Sequence, residues 1–147
     1  MVLWFKHGLL LFWALWLTVI TLTNLFDGLK AAGALPSGWR FVSQNFDRVV
    51  QAVAVYGAGT RLATVLFGGV ILWQGLAAVL FWYAAVGSLQ VGGILWPAAD
   101  LAFTVVLALW AAFIVAEEVF KQYRTEISHV LFFTVQLVSW LALYRLP

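Results

Sequence analysis

Four apolar runs, each close to the length that crosses a bilayer, constrain this chain more than any other feature: residues 8–26, 62–83, 98–120 and 127–144. A helix needs about 20 apolar residues to traverse a hydrocarbon core of about 30 Å. Three of the runs hold no Asp, Glu, Lys or Arg, and the run 98–120 carries only Asp100, Glu117 and Glu118. A soluble fold of 147 residues could not hide them, because small domains bury only part of the surface they carry. The chain is 65% hydrophobic and 10% charged, where soluble domains run at about 45–50% and about 25%. The expected fold class is all-α, a polytopic membrane protein with four transmembrane helices forming a single domain over residues 1–147. An amphipathic surface helix is expected in the first loop.

Lys6 and His7 precede the first run, as basic residues precede a secretory signal. The run is too long and too rich in tryptophan for a signal core, and no small-residue cleavage site follows, so a spanning helix is expected. Gly28, Gly33, Pro36 and Gly38 then break the chain, and Ser37 is placed to cap a helix over 38–56. There Trp39, Val42, Phe46, Val49, Val50 and Val53 recur at three- and four-residue spacing, with Arg40, Gln44, Asp47, Arg48 and Gln51 mostly opposite. That pattern suits a helix lying on lipid or on another protein surface.

The second run carries a stripe of small residues continuing from the preceding turn, Gly57, Thr60, Thr64, Gly68 and Gly75, and the third carries Thr104, Ala108, Ala112 and Ala116. Small stripes let helices approach closely. An uncharged loop over 87–97 is bracketed by Trp82 and Trp96 at interface depth. Pro97 fits the first turn of the next helix.

Between the third and fourth runs lies EEVFKQYRTEISH, residues 117–129, holding three of six acidic residues, two of eight basic ones and one of two histidines. A charged seam between apolar runs is a turn at a membrane surface. Lys30, Arg40, Arg48, Arg61, Lys121 and Arg124 fall on the side of the first and third loops, while Lys6 and Arg145 fall on the other. Six against two places the long loop and the seam in the cytoplasm and both termini in the periplasm.

These residues resemble an uncharacterised bacterial family, the "predicted small integral membrane proteins". The resemblance lies in TNLFDGLK (23–30), WQGLAAVLFW (73–82) and EEVF (117–120). It implies four spans and a bacterial inner membrane, and it implies no activity. The family pattern often has a glutamate after the tryptophan matching Trp73, where this chain has Gln74.

Candidate chemistry is sparse. The chain has no cysteine, which removes disulfides, thiolate chemistry and covalent haem attachment. Its eight basic residues are scattered, which argues against nucleic acid. Glu126 and His129 have the Glu-x-x-His spacing of di-iron bundles, but the second such pair those sites require is missing. His7 and His129 belong at opposite faces, about 30 Å apart, too far to share a haem, so no cofactor is expected. Asn24, Asp27, Glu117 and Glu118 belong near the cytoplasmic interface, where local pairing of Asp27 with Lys30 and Glu117 with Lys121 is expected. Thr125 or Ser128 is expected to cap the fourth helix, with Glu126 favourable to its dipole. Gln74 and Gln136 are the polar residues deepest in their runs and should find partners across helices. None of the runs has an ionisable residue at its middle, where transporters and pumps usually place one.

These features point to a non-catalytic accessory subunit of a larger integral membrane complex, respiratory or photosynthetic, whose partners are the lipid bilayer and other membrane subunits. Asn24, Asp27, Gln74, Glu117, Glu118, Glu126, His129 and Gln136 are its candidate contacts. The alternative is a small lipid- or quinone-binding protein or transporter component, and a third reading is a membrane enzyme using the cytoplasmic carboxylates.

Overall fold

The computed structural model describes residues 1–147 as five α-helices and no strands. They are α1 (Val2–Ala31), α2 (Asn45–Ala54), α3 (Thr60–Val91), α4 (Trp96–Phe120) and α5 (Tyr123–Arg145). All except α2 are long and apolar enough to cross a membrane. Helix α1 packs on α3, α3 on α4 and α4 on α5, while α2 rests against α1 and α3. Cross-helix partners run in opposite directions along each pair, Thr18 with Trp82 and Asn24 with Gln74 for example, so successive long helices are antiparallel. Trp16 of α1 meets Phe132 of α5 with ring centroids 5.0 Å apart.

The buried stripe of α1 follows the helical period through Leu10, Trp13, Ala14 and Leu17. It begins and ends on polar groups, Lys6 and His7 at one end and Asn24 and Asp27 at the other. Alanines let α3 and α4 meet closely: Ala77, Ala84, Ala99 and Ala102 have no exposed surface. Phe81 and Phe103 meet edge-on between them at 4.9 Å, an arrangement worth about 0.5–1.5 kcal/mol beyond its area.

The close-packing ridge of α4 is thus not the one the small-residue spacing suggests. Thr104, Ala108 and Ala112 are exposed and Ala116 is half-buried, because Phe103, Val106 and Trp110 turn the opposite face of the helix inward. On α3, a Cβ at Gly75 would touch Thr21 at 3.6 Å, but one at Gly68 would meet nothing within 4 Å. The Gly68 part of that stripe borders an open groove rather than a helix.

Helix ends also differ from the sequence expectation. Helix α3 continues to Val91, so the loop before α4 covers only 92–95. Within the helix, bare Gly87 makes room for the returning chain, since a Cβ there would lie 2.7 Å from Leu95 Cδ2. Gly92, at φ +65°, then ends the helix in a left-handed turn. Helix α2 begins at Asn45 instead of following a Ser37 cap. Residues 37–44 instead lie over α1, with Trp39 and Phe41 against Phe26. Helix α5 begins at Tyr123 with no side-chain cap, so neither Thr125 nor Ser128 serves as one. The charged seam is consequently mostly helical. Its turn is Lys121–Gln122, closed by a hydrogen bond from Gln122 N to Glu117 O at 2.8 Å, with Lys121 at φ +56°.

Candidate functional site

Polar ties run down the α4–α5 hairpin. His129 Nδ1 lies 2.7 Å from Glu117 Oε1, and Trp110 Nε1 donates to Gln136 Oε1 at 2.6 Å. Seven residues separate 110 from 117 and 129 from 136, about two turns on each helix, so both ties share one register. At the far end Asp100 accepts from Trp140 Nε1 at 2.9 Å and from Tyr144 Oη at 2.7 Å.

Aromatic rings hold the first tie in place. The His129 imidazole stacks on Phe113 at 4.6 Å and 12°, and on Trp110 at 5.6 Å and 20°. Glu117 is 7% exposed at its side chain and His129 is 22% exposed. A distance of 2.7 Å suits a charge-assisted hydrogen bond. Two buried atoms on these facing helices have no partner, Glu117 Oε2 and Gln136 Nε2. Chemically the hairpin holds one free carboxylate oxygen, one amide NH2 with two unused donors and the outer edge of an imidazole, against indole and phenyl walls.

A second set of ties joins α1, α2 and α3. Asn24 Nδ2 donates to Gln74 Oε1 at 2.7 Å, and Asn45 Nδ2 donates to Asn24 Oδ1 at 2.9 Å. Asp27 Oδ2 accepts from Phe46 N at 2.8 Å and from Ser43 Oγ at 3.1 Å. Phe46 N is in the first turn of α2, so the cap of this helix comes from a carboxylate on α1. The neighbouring Gln44 lies at φ +61°.

The expected local pairs do not form. Lys30 Nζ donates to Trp39 O at 2.9 Å rather than pairing with Asp27, and Glu117 pairs with His129 rather than Lys121. A buried carboxylate is held best by donors that other elements fix beside it, whereas a solvated pair along one helix contributes only about 0.3–0.5 kcal/mol. Gln74 and Gln136 do bond across helices. Glu118 is exposed and Glu126 half-buried, and neither makes an ion pair or a side-chain hydrogen bond. The eight candidate residues therefore divide into an Asn24–Asp27–Gln74 group, a Glu117–His129–Gln136 group and two outlying glutamates.

Sequence reasoning did not single out Asp100, Ser43, His7 or Tyr56 as anchors. His7 Nε2 lies 3.1 Å from Gly93 O, Lys6 Nζ donates to Leu146 O at 2.8 Å, and Tyr56 Oη donates to Val119 O at 2.5 Å. For Asp100 a signal existed: two hydrogen-bonding aromatic residues, Trp140 and Tyr144, stand one turn apart near the end of the neighbouring helix. No group of three or more His, Asp or Glu side chains is arranged to hold a metal ion.

Together these features define an all-helical protein with four helices long and apolar enough to cross a membrane, joined by buried polar ties. Compared with protein-family models, with curated proteins and with solved structures, the chain finds no match.

Proposed function

We propose that this chain is a non-catalytic accessory subunit of a larger integral membrane complex, embedded in a bacterial inner membrane through α1, α3, α4 and α5. The observation that carries this reading is how the polar side chains are used. Asn24, Asp27, Gln74, Glu117, His129 and Gln136 bond to other elements of the chain instead of converging on one cavity. Such ties hold helices together where hydrophobic association is weak. The outward Thr104, Ala108 and Ala112 leave a face of α4 that another helix can approach closely. The six-to-two basic asymmetry supports a cytoplasmic first loop and α4–α5 turn, with periplasmic termini. The resemblance to small integral membrane proteins supports the same placement. A respiratory or photosynthetic assembly is the parent complex we infer.

Native mass spectrometry after gentle detergent extraction tests this reading. The expected result is a particle containing this 16.3 kDa chain with other membrane subunits, disrupted by Ala112→Leu. A chain that always emerges alone would overturn it.

A second reading, binding of a quinone or lipid, is favoured by the buried, unpartnered Glu117 Oε2 and Gln136 Nε2.

A further inference from the structure

We propose that the cleft where α1, α2 and α3 meet holds one phospholipid with an ethanolamine-type head group. The proposal rests on the membrane-embedded reading above and not on any partner subunit. Two adjoining spaces share Phe46 and Ala31 as a common wall. The first is a groove of about 290 Å³, open along one side, between Leu25 and Gly28 of α1 and Phe67, Gly68 and Ile71 of α3. The second is a pocket of about 380 Å³ lined by Asp27, Lys30, Gln44 and Asp47. Both volumes are near the lower end of ligand sites, about 300–1,000 Å³.

The groove is apolar and has room for a chain. Gly68 leaves its floor bare, with nothing within 4 Å of where a Cβ would stand. It runs from Ala32 and Thr60, at the ends of their helices, to Leu25 and Ile71 farther in, a distance of about 10 Å along α1 and about 16 Å along α3. The polar pocket lies where α1 ends and the first loop begins. A lipid whose head sits at the helix ends and whose acyl chain points toward their middle has this polarity.

Charge decides the head group. Lys30, Asp27 and Asp47 line one pocket, yet no two of them form an ion pair. Lys30 spends one donor on Trp39 O and keeps the others. Asp27 is 8% exposed, with Oδ2 engaged by Ser43 and Phe46 while Oδ1 makes no hydrogen bond. A phosphate beside Lys30 and a primary ammonium between Asp27 and Asp47 satisfy all three charges. A purely anionic head would face two carboxylates, and a quaternary ammonium has no N–H for Asp27 Oδ1.

The test uses the full chain, delipidated in mild detergent. Phosphatidylethanolamine, phosphatidylcholine and phosphatidylglycerol of equal chain length are added separately, and bound lipid is counted by native mass spectrometry. One phosphatidylethanolamine should bind, with about tenfold or greater preference over the other two. Gly68→Leu should fill the groove and weaken all three lipids with an unchanged thermal melt. Asp47→Lys should shift the preference to phosphatidylglycerol. Equal binding of the three lipids by the wild-type chain, or wild-type binding by Gly68→Leu, would overturn the site while leaving the membrane reading intact. Release of the chain from membranes by alkaline carbonate would overturn both.

Discussion

Asp27 Oδ2 accepts the backbone N–H of Phe46 at 2.8 Å, so a side chain on α1 caps the start of α2. The contact links one carboxylate at the end of an apolar run to the position of a whole helix. It also seats Phe46 against Phe67, with ring centroids 5.5 Å apart.

Losing that cap should loosen α2 without unfolding the bundle. Asp27→Ala is expected to cost about 0.5–2 kcal/mol, the usual range for a helix cap. Amide hydrogen exchange should accelerate over residues 45–54 and stay slow in α4. Equal acceleration in both would mean that Asp27 supports the bundle as a whole.

The Glu117–His129 pair should show the asymmetry of a buried charge. His129→Ala leaves the Glu117 carboxylate with neither oxygen partnered, at an expected cost of about 3–5 kcal/mol. Changing both residues to alanine should be less destabilising than the sum of the single changes. Thermal unfolding of the three variants in detergent completes the cycle, and additive costs would show that the pair contributes no coupling.

Glycine replacements should separate open space from close approach. Gly68→Leu is expected to change stability by no more than about 0.5 kcal/mol, as at sites without packed neighbours. Gly87→Leu must displace Leu95 and should cost about 1–3 kcal/mol through overpacking. Melting temperatures in one detergent provide the comparison, and a reversed order would refute the packing described for α3.

Topology can be read by labelling exposed positions. Gln51 is exposed on α2 and Gln90 on the last turn of α3. A cysteine at Gln90 should react with an impermeant thiol reagent added to spheroplasts, and one at Gln51 should not. The opposite pattern would reverse the orientation inferred from the basic residues. Ser88 is unsuitable as a reporter, since it is fully buried and its Oγ accepts from Leu95 N.

The α4–α5 turn offers a test of local strain. Lys121 occupies the left-handed region at φ +56°, which costs a residue with a Cβ about 1–2 kcal/mol. Lys121→Gly should relieve most of that cost while adding unfolded-state entropy, leaving a net gain of up to about 1 kcal/mol. A loss of thermal stability would show that the lysine side chain contributes more than its backbone costs.

The number of long helices, their approximate places and the presence of an amphipathic helix in the first loop were legible in the chain, but not that this helix would start at Asn45. Apolar runs and the three-to-four residue period are local properties, and a spanning-length helix satisfies its own backbone hydrogen bonds. The cross-helix pairing of Gln74 and Gln136 was legible in kind, because a deeply placed amide needs a partner. Which partner was not: Asn24 lies 50 positions from Gln74 and Trp110 lies 26 from Gln136. Nor could spacing reveal that Asp27 would cap α2 instead of pairing with Lys30, or that Glu117 would choose His129 over Lys121. Those choices depend on antiparallel register, which brings distant residues within 3 Å and buries them. The same holds for the ridges. Thr104, Ala108 and Ala112 look like a packing face by size alone, but the larger Phe103, Val106 and Trp110 filled the core and turned the small residues outward. Only the assembled bundle decides which face of a helix has neighbours.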